Sequence, residues 1–453
     1  MVNLHPSSTP LHGSLTPPGD KSISHRALMI AAAARGTSQI LNLAPGADVR
    51  SSQTVLARLG VTITPTAGAL QSVLVESEGM DGWREPSAVL DAGNSGTTIR
   101  LMAGLLATRP FLSILDGDDS LRARPMDRVT TPLRSMGAFI SGRQGGLLAP
   151  LVIDGARRRT ALRPFHGRTP VASAQVKSSL LLAALGAPGE TFLLEELPTR
   201  DHTERMLAAG GVDCHFGPGW VRLNGPARPK PLQLTVPGDP SSAFPWAVLA
   251  TLIPDSELQL RGVLLNRTRL GGFILLQKMG ADIAWQVEEE RAGEPVGSIL
   301  VRAARLQGIR VEAADVPAAV DELPLLAVAA TRARGETVVT KAGELRRKES
   351  DRIHTIAVEL GRLGAAVEEL PDGWRIDGAP HEGVVLDDLV LSAHGDHRVA
   401  MALAVAVWSG SGNRTCQLEE ADSVRISYPD FFNEARNLGL PVAEAAEVDR
   451  HGS

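Results

Sequence analysis

Hydrophobic and polar positions along this chain change period in the same order again and again. Ala/Leu-rich stretches with a polar head begin DKSISHRALMIAAAA at Asp20, GNSGTTIRLMAGLLA at Gly93 and SAQVKSSLLLAAL at Ser173. Three more begin DPSSAFPWAVLA at Asp239, VDELPLLAVAA at Val320 and GDHRVAMALAVAV at Gly395. Each body is apolar nearly all round, which predicts a buried helix. Each head carries Ser, Asp or Asn near the helix start, so capped N-termini are expected.

A second landmark recurs in step with the first. It ends a helical pattern and opens a strand: ARLGVTI at Gly60, RSMGAFI at Gly137, AAGGVDC at Gly211, QKMGADI at Gly280, GRLGAAV at Gly364 and RNLGLPV at Gly439. The spacings are 77, 74, 69, 84 and 75 residues. In each copy the glycine fits a helix C-terminus, where a left-handed backbone is cheap only without a Cβ. Most copies continue as strand, turn and strand, as in VDCHF-GPG-WVRLNG and AAVEEL-PDG-WRIDG. The unit is therefore buried helix, strand, loop, second helix, strand, strand. Six copies in 453 residues predict an α/β protein of repeated βαβαββ-type units, too large for one ordinary core.

Composition narrows the class. Hydrophobic residues make up 43% and charged residues 21%, as in a water-soluble globular chain. Two cysteines, Cys214 and Cys416, exclude a disulfide scaffold and are too few for a cysteine metal site. No signal-peptide pattern opens the sequence, and no apolar run is long enough to span a bilayer. A cytoplasmic protein without membrane or nucleic-acid partners is expected, since the net charge of −5 opposes general nucleic-acid binding. Neither a phosphate-loop nor a dinucleotide fingerprint is present, so no cofactor or metal is expected.

The charges that remain are placed suggestively. Helix N-termini present unpaired N–H groups and favour anions. Several heads add basic or polar side chains: Lys21 and Ser22, Asn94 and Thr97, Ser173 and Gln175, His397 and Arg398. Loops before the second helices add Arg122 and Arg124, Arg200, and Lys348 with Arg352. Taken singly each is an ordinary surface charge. Recurring at equivalent points of the unit, they suit phosphorylated and carboxylated small molecules.

These residues also lie in recognisable motifs. PGDKSISHRALMIAA, GNSGTTIRL, RARP, ASAQVKSSLLLAAL, TRDHTERM, VPGDPSSAFP, LRRKESDR and GDHRVAMA follow one another in this order. Together they resemble the EPSP synthase family over nearly the whole chain, with SAQVK and TRDHTE similar to its class II bacterial members. The resemblance implies the two-domain enolpyruvyl transferase fold, with three units per domain and the active site in the interdomain cleft. It implies one domain over 21–237 and a discontinuous one over 1–20 plus 238–453. Hinges would fall near 17–21 and 236–240, where Pro and Gly suit crossover strands.

The implied reaction joins phosphoenolpyruvate to the 5-hydroxyl of shikimate 3-phosphate and releases phosphate through a tetrahedral adduct, a step towards chorismate and the aromatic amino acids. By the same resemblance, Lys21, Ser22, Arg26, Ser173, Ala174, Gln175, Arg200, Asp321 and Lys348 would bind shikimate 3-phosphate. Lys21, Gly96, Arg124, Gln175, Arg352, His397 and Arg398 would bind phosphoenolpyruvate. Asp321 and Glu349, with Lys21, would be catalytic. The resemblance implies that both carboxylates sit beside cations in the cleft, so a base role follows more readily than an acid role. Ala174 offers no hydroxyl, and Glu344 stands where many relatives carry Asn. Ile426 occupies a position that is Lys in some relatives, with Arg425 adjacent, and the Lys role is not carried over. A monomer is expected. Two rivals remain: an enolpyruvyl transferase acting on UDP-N-acetylglucosamine, and a non-catalytic anion-binding protein of the same fold. The first usually has Lys-Asn where this chain has Lys21-Ser22, and a loop Cys that is absent between 113 and 125.

Overall fold

The computed structural model describes residues 1–66, 71–379, 389–412 and 415–444. The described chain forms two compact units. One comprises Met1–Pro17, Gly238–Glu288 and Gly297–Ser453; the other comprises Pro18–Pro237 and Glu289–Val296. For brevity these are the discontinuous unit and the central unit.

All six expected buried helices are present: Lys21–Ala33, Gly96–Leu106 and Ala174–Ala184 in the central unit, then Pro240–Leu252, Leu323–Thr331 and His397–Trp408 in the discontinuous unit. Every residue of His397–Trp408 is buried, as the uniformly apolar pattern requires. Capping is less uniform than the heads suggest. Asp20, Ser95, Asp239 and Asp396 accept a bond from a first-turn N–H, whereas Ser173 and Glu322 cap no helix through their side chains. The six repeat glycines all adopt positive φ, between 79° and 101°. This is the left-handed helix end that the repeat signature predicts.

Each repeat feeds one four-stranded sheet, and there are six sheets among the described residues. The pattern is clearest in the order Leu90–Asp91, Leu112–Asp116, Leu148–Asp154, Ile140–Arg143. The first pair is parallel and the other two are antiparallel. His166–Arg168 with Gly189–Leu194, and Arg310–Val311 with Gly335–Val339, open two further sheets of the same pattern. The parallel pair forces a crossover helix between its strands, and that helix is the buried one.

Three departures follow from how the chain is threaded. His12–Leu15 precedes a central-unit helix but pairs in the discontinuous unit, parallel to Glu257–Leu264. Gln233–Thr235 does the converse, pairing with Arg35–Leu41 in the central unit just before the chain enters Pro240–Leu252. Gly19, beside the first crossover, has no room for a Cβ, which would stand 1.8 Å from the Asn42 carbonyl oxygen. Among the described residues, the sixth repeat supplies one strand after Gly439, not two. The missing partner is Val2–Leu4, which pairs antiparallel with both Cys416–Glu419 and Val442–Glu444.

The discontinuous unit has its core around Trp246, Trp408, Phe431 and Tyr428. Trp246 and Trp408 stack with ring centroids 6.3 Å apart, and Phe431 lies 4.9 Å from Trp246. The three buried repeat helices of this unit all contribute side chains to that core.

Candidate functional site

In the central unit, three helix starts carry the expected binding residues. Lys21 opens its helix behind the Asp20 cap, and its Nζ lies 2.5 Å from Asp48 Oδ2. Ser22 follows, and Arg200 Nη1 stands 3.5 Å from its hydroxyl. Arg26, only 3% exposed, is turned into the unit. It donates to the Ser22 carbonyl, Thr203 Oγ1 and Ser178 Oγ at 2.8–2.9 Å.

Gly96 begins the second helix, above the Ser95 cap. A Cβ there would lie 2.9 Å from Arg100 Nη1 and 3.5 Å from Arg124 Nη1. Two guanidinium groups therefore converge over this helix N-terminus, where the absence of a side chain gives them room. Arg124 is steadied by Asn94 Oδ1 at 2.6 Å and Ser120 Oγ at 3.1 Å. Arg100 reaches Gln175 Oε1 at 2.7 Å, and Gln175 Nε2 donates to Thr97 Oγ1 at 3.0 Å. Gln175 thus joins the second and third helix starts. Ser173 caps the third helix without a side-chain capping bond, and Ala174 is its first residue. Like charges held this close to a positive helix end suit a phosphate or carboxylate ligand.

Arg122 belongs elsewhere. Its guanidinium grips Asp116 at 2.7 Å and also meets Asp119. The hydrogen bond from Arg122 holds the Asp116 carboxyl below its usual range, so this pair is a structural brace of the loop that presents Arg124.

In the discontinuous unit, Arg352 is the hub. It is 2% exposed and faces three carboxylates. Nε donates to Asp396 Oδ2 at 2.8 Å and Nη2 to Glu349 Oε2 at 2.7 Å; Nη1 stands 3.6 Å from Asp321 Oδ1. Lys348 Nζ lies 3.6 Å from the same Asp321 oxygen and 3.4 Å from Glu344 Oε1. Burial raises the Asp396 carboxyl, but Arg352 outweighs it and the group ends below its ordinary value. Asp396 also caps the last buried helix through the Arg398 N–H at 2.9 Å, so one carboxylate fixes both Arg352 and the His397–Arg398 pair. Arg398 Nη1 lies 3.8 Å from the buried Glu322. Asp321 and Glu349, expected as the catalytic pair, are brought together here through Lys348 and Arg352.

Three organising residues were not singled out from sequence: Arg100, Asp48 and Asp396. Arg100 follows Gly96 by four positions, one helical turn, so face periodicity was the available signal. Among the described residues one group has metal-ligand spacing: Asp201, His202 and Glu294, with ligand atoms within 4.8 Å of one another. Arg205 already pairs with Asp201 at 2.9 Å and approaches Glu294 at 3.8 Å, and His202 Nδ1 shares a 2.7 Å bond with Glu294. An ion-pair network accounts for this group. No described helix is long and apolar enough to cross a membrane.

Six four-stranded repeats with polar and cationic helix starts define the enolpyruvyl transferase fold. The enolpyruvyl transferase NikO from Streptomyces tendae shares it with a TM-score of 0.77 at 19% identity, over 98% of each chain. More narrowly, the chain belongs to the family described as EPSP synthase (3-phosphoshikimate 1-carboxyvinyltransferase), whose sequence profile matches residues 6–435. The 3-phosphoshikimate 1-carboxyvinyltransferase of Herpetosiphon aurantiacus is 47% identical over 93% of this chain and 96% of its own. That of Geobacillus kaustophilus is 45% identical over 96% and 100%. The EPSP synthase of Acinetobacter baumannii superposes with a TM-score of 0.86 at 36% identity, over 98% and 99%.

Proposed function

We propose that this chain transfers the enolpyruvyl group of phosphoenolpyruvate to the 5-hydroxyl of shikimate 3-phosphate, releasing inorganic phosphate. The observation that carries this reading is the pairing of Asp321 and Glu349 with Lys348 and Arg352, in a member of this family. A non-catalytic anion binder would need the cations but not two carboxylates held among them.

In this reading Lys21, Ser22, Arg26, Ser173, Ala174, Gln175, Arg200, Asp321 and Lys348 bind shikimate 3-phosphate. Lys21, Gly96, Arg124, Gln175, Arg352, His397 and Arg398 bind phosphoenolpyruvate. The convergence of Arg124 over Gly96 supports the second set, and the Arg200–Ser22 approach supports the first. Asp321 accepts the proton of the 5-hydroxyl as its oxygen attacks C2 of phosphoenolpyruvate, while Glu349 delivers a proton to the methylene carbon. The tetrahedral adduct then loses phosphate, and the methyl proton removed in that step returns to Glu349. Fixed guanidinium and ammonium groups stabilise charge on the departing phosphate. Holding two anions in register supplies much of the remaining acceleration. The crossovers at 17–18 and 237–238 act as hinges, and the enzyme works as a cytoplasmic monomer in the pathway to aromatic amino acids.

Phosphate release from phosphoenolpyruvate, measured with each acceptor in turn, tests the proposal. Turnover is expected with shikimate 3-phosphate and not with UDP-N-acetylglucosamine. Release with the UDP-sugar alone would overturn it.

A further inference from the structure

We infer that Lys177, with Glu195 and Glu204, is a positioning cluster that fixes the Arg200 loop against the helix bearing Ser173 and Gln175. Lys177 lies one turn inside the Ala174–Ala184 helix, and its side chain is 3% exposed. Its Nζ meets Glu195 Oε2 and Glu204 Oε1, each at 2.7 Å, and the Thr199 carbonyl at 3.4 Å. These contacts bracket Arg200. Glu195 follows the Gly189–Leu194 strand, Thr199 immediately precedes Arg200, and Glu204 sits in the first turn of the His202–Ala209 helix. One ammonium group therefore pins both ends of the loop and its middle. A further tie comes from Thr203, whose hydroxyl bonds Ser178 at 2.7 Å and accepts from Arg26.

The two carboxylates are not equivalent. Glu195 accepts from Lys177, from the Thr199 N–H and from the Thr199 hydroxyl. Glu204 Oε1 has Lys177, and its buried Oε2 has no hydrogen-bond partner. Two buried negative charges on one ammonium leave an uncompensated charge, which is costly in a buried site. The proton that relieves it belongs on Glu204, the carboxylate with fewer donors. Burial pushes the Glu204 carboxyl up, in the same sense, against the pull of Lys177. Of the two carboxyls, Glu204 is therefore the one that takes up a proton more readily.

This inference rests on the proposed role of Arg200 in holding shikimate 3-phosphate. Lys177 touches no substrate in this scheme and acts through the loop. Four full-length variants test it: Lys177→Met, Thr199→Val, Glu195→Gln and Glu204→Gln. Steady-state kinetics would be read beside hydrogen exchange of amides 196–203 in the unliganded proteins. Lys177→Met and Glu195→Gln should raise KM for shikimate 3-phosphate by roughly tenfold or more, the scale of a misplaced positioning group. KM for phosphoenolpyruvate should change less than about twofold, and loop exchange should quicken while that of 189–194 does not. Glu204→Gln, which mimics the neutral acid, should stay within about twofold of the parent. Where Lys177→Met fails to fold, Thr199→Val removes one loop tie with little change of shape and should shift the same KM in the same direction. A folded Lys177→Met with unchanged loop exchange overturns the inference. So does equal damage from Glu204→Gln and Glu195→Gln. Absence of turnover in the parent protein would instead refute the functional reading, leaving the exchange comparison to decide the role of Lys177.

Discussion

At Gly96 a single hydrogen atom separates a helix start from two guanidinium groups. A methyl in its place would stand 2.9 Å from Arg100 Nη1, which must then move. Arg100 holds Gln175, so the displacement would spread to the third helix start. Gly96→Ala is expected to raise KM for phosphoenolpyruvate by roughly tenfold to a hundredfold, with a smaller effect on shikimate 3-phosphate. Initial-rate kinetics with each substrate varied in turn would check it. The two carboxylates should separate differently. Glu349→Gln should slow single-turnover chemistry by about 10²–10⁴, the worth of one general acid–base group, with near-normal shikimate 3-phosphate binding by calorimetry. Asp321→Asn should also weaken that binding, because Asp321 is assigned the 5-hydroxyl itself. Near-normal chemistry in Glu349→Gln would reduce Glu349 to a partner of Arg352. Much at this scale was legible in the sequence, because cations at helix starts stand out against an acidic chain. Arg100 was less legible: inside an apolar helix, a lone Arg gives no sign of what it reaches.

The last buried helix shows how an element can carry a site. Asp396 caps His397–Trp408 and pairs with Arg352, so the cap and the ion pair are one carboxylate. Its folded pKa lies below the ordinary carboxylate value of 3.8. The unfolded chain therefore binds more protons in that range, and stability falls as the solution is acidified. The contribution is fully present above the unfolded value and is lost as pH drops through the folded one. Against Asp396→Asn, the parent should keep a constant margin of stability from neutral pH down to about 5, and the margin should shrink below about 4. Urea melts across that range would measure it. A pH-independent margin would mean that Asp396 acts through shape alone. The GDH head advertised a cap, but nothing in it named Arg352, 44 residues earlier, as the other partner. Sequence spacing encodes local geometry and is silent about which loop a cap will face. The sixth repeat fails in the same way: its pattern lacks a strand that residues 2–4 provide from the far end of the chain.

For the whole molecule, the central unit is not a simple segment. Residues 289–296 group with it, although the strand Asp282–Arg291 begins, and the strand Glu294–Arg302 ends, in the discontinuous unit. The polar run EEERAGEP reads as an ordinary solvent-facing turn, which is why the sequence did not mark it. Yet Glu294 is 1% exposed and bonds His202, which is wholly buried. Glu294→Ala should lower stability by about 1–3 kcal/mol, the cost of stranding a buried polar partner. A fragment spanning 18–237 should show faster hydrogen exchange over His202–Ala209 than the full chain does. Equal protection in both would make Glu294 dispensable.

The threading also sets an order of events during synthesis. By the time residue 296 has left the ribosome, every segment of the central unit is available, and that unit can close. The discontinuous unit cannot. Its first strand, Val2–Leu4, occupies an interior place between Cys416–Glu419 and Val442–Glu444. Those three residues must wait, unpaired, for almost the entire chain to be translated. Until then their would-be neighbours are nascent, and the waiting strand is the segment most in need of protection from wrong pairing. Folding here is vectorial for one half of the protein and forbidden to be so for the other.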